Sequence, residues 1–514
     1  MGTIGRLSFA IALAAASAAA QVRETTTVEV VEVPVYVTAK GAPIIGLTKD
    51  NFELYINGKR QTIDYFDTTD YANLSSEQSH DVRQRRLYML VFDMLSPSNA
   101  LQHAQKAALQ FVENSASNDT IGVASFGAGG FQIVVPFSRD HEVVERGISK
   151  LEMPAFNDPL HLAIPPAERG GNPAGWDGRI LDPLTDPRLQ DPMVRATAFA
   201  EDEISYLTDL ADRLAGMEGQ KHVVLLSAGF ESMVIHGIDH SRAPGDIRSR
   251  SLVNENPRSG VPHANMKLIW EMEGLHLAYA SAGVFLDAID IGGLRMFQDA
   301  LSNDSLYEFV DATGGRVIDH NNDLPGAMKK LSDLSRVVYI LGFNAPNTGK
   351  TENKIALKLV NVPRGTQASY RRIYETGGAQ IDTGDMLHLA DIIQNDIEQN
   401  GVTTVVTAEP VDKGLDVEVD LPGREMLAHA GGGIIGAKIM MYVMSGKKVL
   451  AFKQKRLDIE VKKAEEGLTE GQPVRVRDTF ELPPGNYSAK VVVRMDTTGA
   501  LGYARADVVI PSAQ

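Results

Sequence analysis

The chain has 514 residues, enough for two to four domains that each bury a core. Its formal net charge of −16 excludes the basic footprint of a nucleic-acid binder. Its lack of cysteine removes disulfides, thiol catalysis and Cys-based zinc sites together.

The first element in chain order is a processing segment. Arg6 supplies a positive start, Leu7–Ala16 an apolar run, and Ala18-Ala19-Ala20 a small-residue cleavage site before Gln21. The run is short for a membrane span, and no later segment is long and apolar enough to be one. The expectation is a signal peptide over residues 1–20 and a secreted or periplasmic mature protein. N-terminal sequencing of the exported form should begin at Gln21, whereas a full-length cytosolic protein would sink this reading.

Thr25–Thr38 (TTTVEVVEVPVYVT) alternates β-branched with polar residues and predicts a strand. Glu53–Ile56 and Gln61–Phe66 flank Asn57-Gly58, a hairpin signal. Strand and helix patterns then alternate. The apolar run Tyr88–Phe92 ends in Asp93, and a helix is expected with Asn99 as its cap. Thr120–Phe126 and Phe131–Pro136 read as strands, and Asp140–Leu151 as a short helix. Glu201–Met217 is a helix with Ile204, Leu207, Leu210 and Leu214 on one face, stopped by Gly219. Lys221–Ser227 and Gly283–Asp290 are buried strands around the helix Leu268–Ser281. Asn303 caps a short helix before the strand Arg316–Ile318, and Asn322 or Asp323 caps the helix running to Leu334. This alternation predicts βαβ units. Two long stretches, Met153–Met193 and Ile235–Asn265, have no period and read as loops; the second directly follows a strand's carboxyl end and so lies at the ligand face of the sheet.

Val337–Phe343, Lys354–Leu359 and Ser369–Tyr374 resume strand character. They are expected to pair with the N-terminal strands. Asp385–Gln399 is a helix or linker, and Val402–Ile510 gives closely spaced strands and turns of a second sandwich. The expected units are residues 21–70 pairing with 336–376, an α/β domain over 86–335, a linker or helix over 377–400, and a β-sandwich over 401–514.

Several segments together resemble the acidobacterial VWFA-related domain family: VEVPVYVTAKGAPIIGLTKDNFELYINGKRQTI, LYMLVFD, KHVVLLSAGF, GVFLDAID, FVDATGGRVI, VVYILGFN and YRRIYE. The resemblance spans roughly residues 25–375. It implies a von Willebrand factor type A domain carrying an N-terminal β segment; with the strand patterns, the expected fold is a doubly wound, Rossmann-like α/β domain of this type inserted in a β-sandwich, followed by a C-terminal β-sandwich. It also implies an exported binding or adhesion-type protein, with no reaction attached.

Type A domains often hold Mg²⁺ through D-x-S-x-S, a threonine and a second acid. Here the loop reads D-x-x-S-x-S, with Asp93, Ser96 and Ser98 as candidate ligands. Ala228 stands where the second acid is expected, and no threonine is assignable in Met153–Met193. The favoured reading is a degenerate site in which Asp93 and Ser96 cap the following helix.

Other candidates are weaker still. His236 and His240 have i, i+4 spacing, but HExxH is absent and no third ligand is evident. Asp287 and Asp290 flank a strand end and read as capping or turn residues, with a catalytic pair as the alternative. Arg242, Arg248, Arg250 and Arg258 make the second loop locally basic. There is no G-x-S-x-G and no Walker loop. The chain therefore reads as a non-catalytic binder of a protein or glycan partner, with no nucleic acid and no transmembrane segment. The rivals are a cell-envelope enzyme with its site in the crevice under the 153–193 and 235–265 loops, and a structural envelope component.

Overall fold

The computed structural model describes residues 30–96, 98–127, 130–151, 192–237, 264–293, 303–346, 350–376, 382 and 384–511. The signal-peptide assignment, most of both long loops, His240 and the four loop arginines lie outside these residues.

The chain opens with β1 (Val30–Ala39), β2 (Ala42–Pro43), β3 (Phe52–Ile56), β4 (Lys59–Gln61), β5 (Tyr65–Asp70) and the short helix α1 (Ser76–His80). The α/β part comes next: β6 (Arg86–Asp93), α2 (Ser98–Asn114), β7 (Thr120–Gly127), β8 (Gly130–Ser138), α3 (His141–Ser149), α4 (Pro192–Leu214), β9 (Gln220–Ser227), α5 (Met233–His236), α6 (Met266–Ala282), β10 (Val284–Asp290), α7 (Asp304–Val310), β11 (Val317–Ile318) and α8 (Leu324–Leu334). The chain then returns to strands with β12 (Val337–Asn344), β13 (Glu352–Leu359), β14 (Thr366–Ser369) and β15 (Ile373–Glu375).

These last strands join the first ones. One sheet runs β14-β1-β12-β5 with β2 beside β1, and the other runs β15-β13-β3-β4. The alternation in β1 drives this arrangement. Val31, Val33, Val35 and Val37 point into a core shared with Leu54, Ile56, Leu341 and Phe343. Tyr36 points the opposite way, onto Phe285 of β10 and Val338, so β1 also seals the sandwich against the α/β sheet.

The central sheet has the order β11-β10-β9-β6-β7-β8. All neighbours are parallel except β8, which returns antiparallel to β7 at the edge. The apolar run in β6 serves both faces. Leu87, Met89 and Val91 enter the core covered by α4, α6 and α7. Tyr88, Leu90 and Phe92 enter the one covered by α2, α3 and α8. The chain leaves β6 towards β7 on one side and resumes at β9 on the other. The carboxyl ends of β6 and β9 thus border the switch point, where open sheets of this kind form a crevice.

Beyond α9 (Met386–Asn395) lie β16 (Val405–Val411), β17 (Gly414–Leu421), α10 (Gly423–Leu427), β18 (Ile434–Ser445), β19 (Lys448–Glu460), α11 (Val461–Thr469), β20 (Val474–Glu481), β21 (Gly485–Met495) and β22 (Leu501–Ile510). They form the sheets β16-β17-β20 and β19-β18-β21-β22 around one core. The segment before them is no loose linker. Leu387 of α9 lies in the α/β core, while Leu389, Ile392 and Ile393 pack on Met440, Tyr442 and Val492.

Some local expectations need correction. Asn99 does not cap α2, which already begins at Ser98 and leaves Asn99 exposed. Asn303 makes no cap hydrogen bond, because its amide Nδ2 donates to Asp290 at 2.8 Å instead. Ser369–Tyr374 is not one strand. It breaks between β14, which pairs with β1, and β15, which pairs with β13 in the other sheet.

Candidate functional site

Asp93 ends β6 with its side chain buried in the crevice. One carboxylate oxygen, Oδ1, accepts the Leu95 amide at 2.9 Å. The other, Oδ2, accepts two hydroxyls, Ser96 at 2.8 Å and Ser227 at 2.7 Å. Each hydroxyl in turn accepts an amide of the loop after β9, Ala228 to Ser96 and Gly229 to Ser227, both at 2.9 Å. The carboxylate therefore ties the loops of β6 and β9 together. Gly229 is required there: its φ is +67°, and a Cβ would lie 3.1 Å from the Ser305 hydroxyl. That hydroxyl accepts the Phe230 amide at 2.8 Å and adds the start of α7 to the network.

The expectation that Asp93 and Ser96 cap α2 is therefore wrong. Among the described residues they bind each other and the β9 loop, and they accept no amide of that helix. The side chain of Ser98 lies outside the described residues.

A second acid is present, from an element the sequence did not implicate. Glu203, in the middle of α4, is buried and leaves Oε1 without a hydrogen-bond partner among the described residues. Burial pushes its carboxyl well above the usual range, and the charge of Asp93 pushes the same way. Burial also raises Asp93, against the lowering pull of the Ser227 and Ser96 hydroxyls. The signal for Glu203 was an acid on the apolar face of a helix, beside Ala200, Ile204 and Leu207. Ser227 could be found only from the register that sets Phe92 beside Leu226.

A raised carboxyl pKa makes the folded state hold a proton that the unfolded chain releases. Stability contributed this way is full below the unfolded pKa and is lost as pH rises through the folded value. Glu203→Gln should therefore flatten the decline in stability between pH 5 and pH 8. The slope removed is at most one proton, about 1.4 kcal/mol per pH unit. Urea unfolding of both proteins at four pH values checks this, and parallel curves would refute it.

The other candidates separate. His236 pairs with Glu308 at 3.2 Å on the surface. Asp290 accepts the Gly292 amide and Asn303. Asp287 is not a capping residue. It sits inside β10, accepts a hydrogen bond from His222 Nδ1 at 3.0 Å, and accepts the Arg316 amide. Burial lowers the His222 pKa, so the ring is neutral and its Nε2 accepts the Tyr36 hydroxyl at 2.9 Å. This buried chain sits where the sandwich meets the α/β sheet.

No known family profile matches the chain, and no curated protein matches it either. Among solved structures, it is similar to a von Willebrand factor type A protein from Catenulispora acidiphila at 8% identity and a TM-score of 0.24, covering 92% of this chain and 76% of that one. It is also similar to a Bacteroides uniformis beta-glucuronidase at 8% identity and a TM-score of 0.15. That match covers 34% of this chain and spans only 19% of the glucuronidase. A third similarity, to dimeric latent PorU from Porphyromonas gingivalis, has 8% identity and a TM-score of 0.15 and covers 34% of this chain and 14% of that one. Among the described residues, no helix is long and apolar enough to cross a membrane.

Proposed function

We propose that the protein is an exported, non-catalytic binding module that engages a protein partner through the carboxyl-end face of its type A-like α/β sheet. The supporting observation is the composition of that face. Its polar centre is the network on Asp93, and exposed apolar side chains lie on separate elements that begin at the same end of the sheet. Leu95 lies just past β6, Met266 and Trp270 lie at the start of α6, and Tyr307 is on α7. Trp270 is 65% exposed. Exposed aromatic and apolar groups rimmed by polar residues suit a protein interface. An enzyme would need an acid, a base and a nucleophile converging there. Asp93 and the two serines are instead spent on one another.

The test is capture from envelope extract by the mature chain. A partner should bind the unaltered protein and Ile434→Glu, an exposed apolar position on the far sandwich, but not Trp270→Glu or Tyr307→Glu. Equal capture by all four would remove this face from the function.

The same reading assigns the crevice no resident cation. Magnesium needs oxygen lone pairs converging on one point in near-octahedral geometry. Here both serine hydrogens point at Asp93, and both serine oxygens accept backbone amides. Entry of an ion would require turning the hydroxyls and breaking the bridge between the loops, so Asp93, Ser96 and Ser227 as they stand do not fit one. An intact site with a Kd near 10 μM would gain about 2.7 kcal/mol at 1 mM Mg²⁺. That is a rise of roughly 5–10 °C for a domain of this size. The expected difference between Mg²⁺ and EDTA is under about 1 °C on the same scale. A saturable rise abolished by Asp93→Ala would overturn the reading.

A further inference from the structure

The opposite end of the α/β sheet carries a cavity that is remote from the proposed binding face. It has a volume of about 400 Å³ and lies between the start of β9, the end of α6, the edge of β1 and β15. Lys221 and Arg371 both line it. Gly219, with φ +111°, turns the chain into β9 just ahead of Lys221, and a Cβ there would lie 2.7 Å from the Arg85 carbonyl.

Among the described residues, the two cations are held by main-chain carbonyls alone. The Lys221 ammonium donates to the Met217 carbonyl at 2.9 Å. The Arg371 guanidinium donates to the carbonyls of Ala280 and Glu32. Among the described residues, neither forms an ion pair with a carboxylate, and Arg371 Nε is buried without a hydrogen-bond partner. Burial pushes Lys221 down to about 8, and the neighbouring charges of Arg371 and Arg85 push the same way. Two like charges lining one cavity, both short of acceptors for their N–H groups, are costly unless an anion joins them. Glu32 and Glu375 also line the cavity. Their charges offset those of the cations and oppose a multiply charged ligand such as phosphate.

We infer that this cavity is a binding site for a monocarboxylate, whose two oxygens are received by the Lys221 ammonium and the Arg371 guanidinium. A planar carboxylate matches the fork of a guanidinium. The carboxylate can belong to a small free acid or to the end of a peptide, and its recognition chemistry is the same in both.

The test uses the full chain with acetate as the free acid, N-acetylglycylglycine as the peptide end, inorganic phosphate as the multiply charged competitor, and acetamide as the uncharged control, all against matched sodium chloride. Acetate should raise the thermal midpoint saturably, and acetamide should not. Tighter saturation by the dipeptide identifies a peptide end as the source, and tighter saturation by acetate a small acid. Lys221→Met and Arg371→Met should each abolish the shift. Lys221→Met removes a buried charge and keeps the stem, so it is expected to fold. An independent measurement needs no variant. Reductive methylation with mass spectrometry should find Lys221 protected by acetate and exposed Lys267 unprotected. An acetate shift equal to that of chloride, a shift surviving both substitutions, phosphate saturating ahead of acetate, or no protection of Lys221 would each overturn the inference.

Discussion

Deleting residues 21–66 is expected to abolish cooperative unfolding of the first sandwich and to leave the remaining chain aggregating or molten. The deleted piece is small, but it is central. It removes β1 from between β12 and β14, and β3 from beside β13. With them go Val31, Val33, Val35, Val37, Phe52, Leu54 and Ile56 from one core. At about 1.5–3 kcal/mol for each large side chain, the loss is on the order of 10–20 kcal/mol. The net stability of a whole domain is only about 5–15 kcal/mol. The deletion also strips a partner from β12, which becomes an unpaired edge. It takes Tyr36 away from His222 and Phe285, so the α/β sheet loses its cover at that end. Size-exclusion chromatography and urea unfolding monitored by tyrosine signals read the outcome. A soluble remainder with a single sharp transition as steep as that of the whole chain would show that the N-terminal strands are dispensable.

The legible parts of the sequence were those whose pattern is local. The run Tyr88–Phe92 marks a strand covered on both faces whatever lies beside it. The alternation of Val with Glu in β1 marks a strand with one face committed to a core. Leucines spaced along α4 mark its buried stripe. The illegible parts needed tertiary information. The first nine residues of α4, Pro192 to Ala200, carry no strong stripe, so the helix expected from the pattern starts only at Glu201. Glu203 matters only because α4 lays it near Asp93, and no spacing rule links positions 110 residues apart. The role of Ser96 was misassigned for a related reason. A hydroxyl three residues after an acid and just ahead of a helix fits a cap, but the β9 loop offered it the Ala228 amide instead. The Tyr370–Arg372 break was hidden because strand-forming residues flank it on both sides. In each case a partner distant in sequence overrode the local preference.

Arg85→Met should cost about 3–5 kcal/mol, the range for removing one member of a buried ion pair. Arg85 makes two hydrogen bonds to Asp391 on α9, at 2.9 and 2.6 Å, and both side chains are 2% exposed. Its Nε also donates to the Glu218 carbonyl at 3.1 Å. Without the guanidinium, Asp391 keeps Asn395 as a donor but stays buried with its charge unbalanced. The double substitution Arg85→Met/Asp391→Leu should recover most of the loss, because an ion pair replaced by apolar groups of similar size is often near neutral. A double-mutant cycle in urea separates the coupling from the individual losses. Single-variant losses under about 1 kcal/mol would place the pair with weakly coupled surface bridges. The larger loss should be seen on both sides of α9. Leu387 on this helix lies in the α/β core, and Ile392 and Ile393 lie against the C-terminal sandwich. Probes placed in each unit should therefore lose stability together in Arg85→Met. If only the C-terminal sandwich responded, α9 would belong to that unit alone, and the α/β domain would fold independently of it.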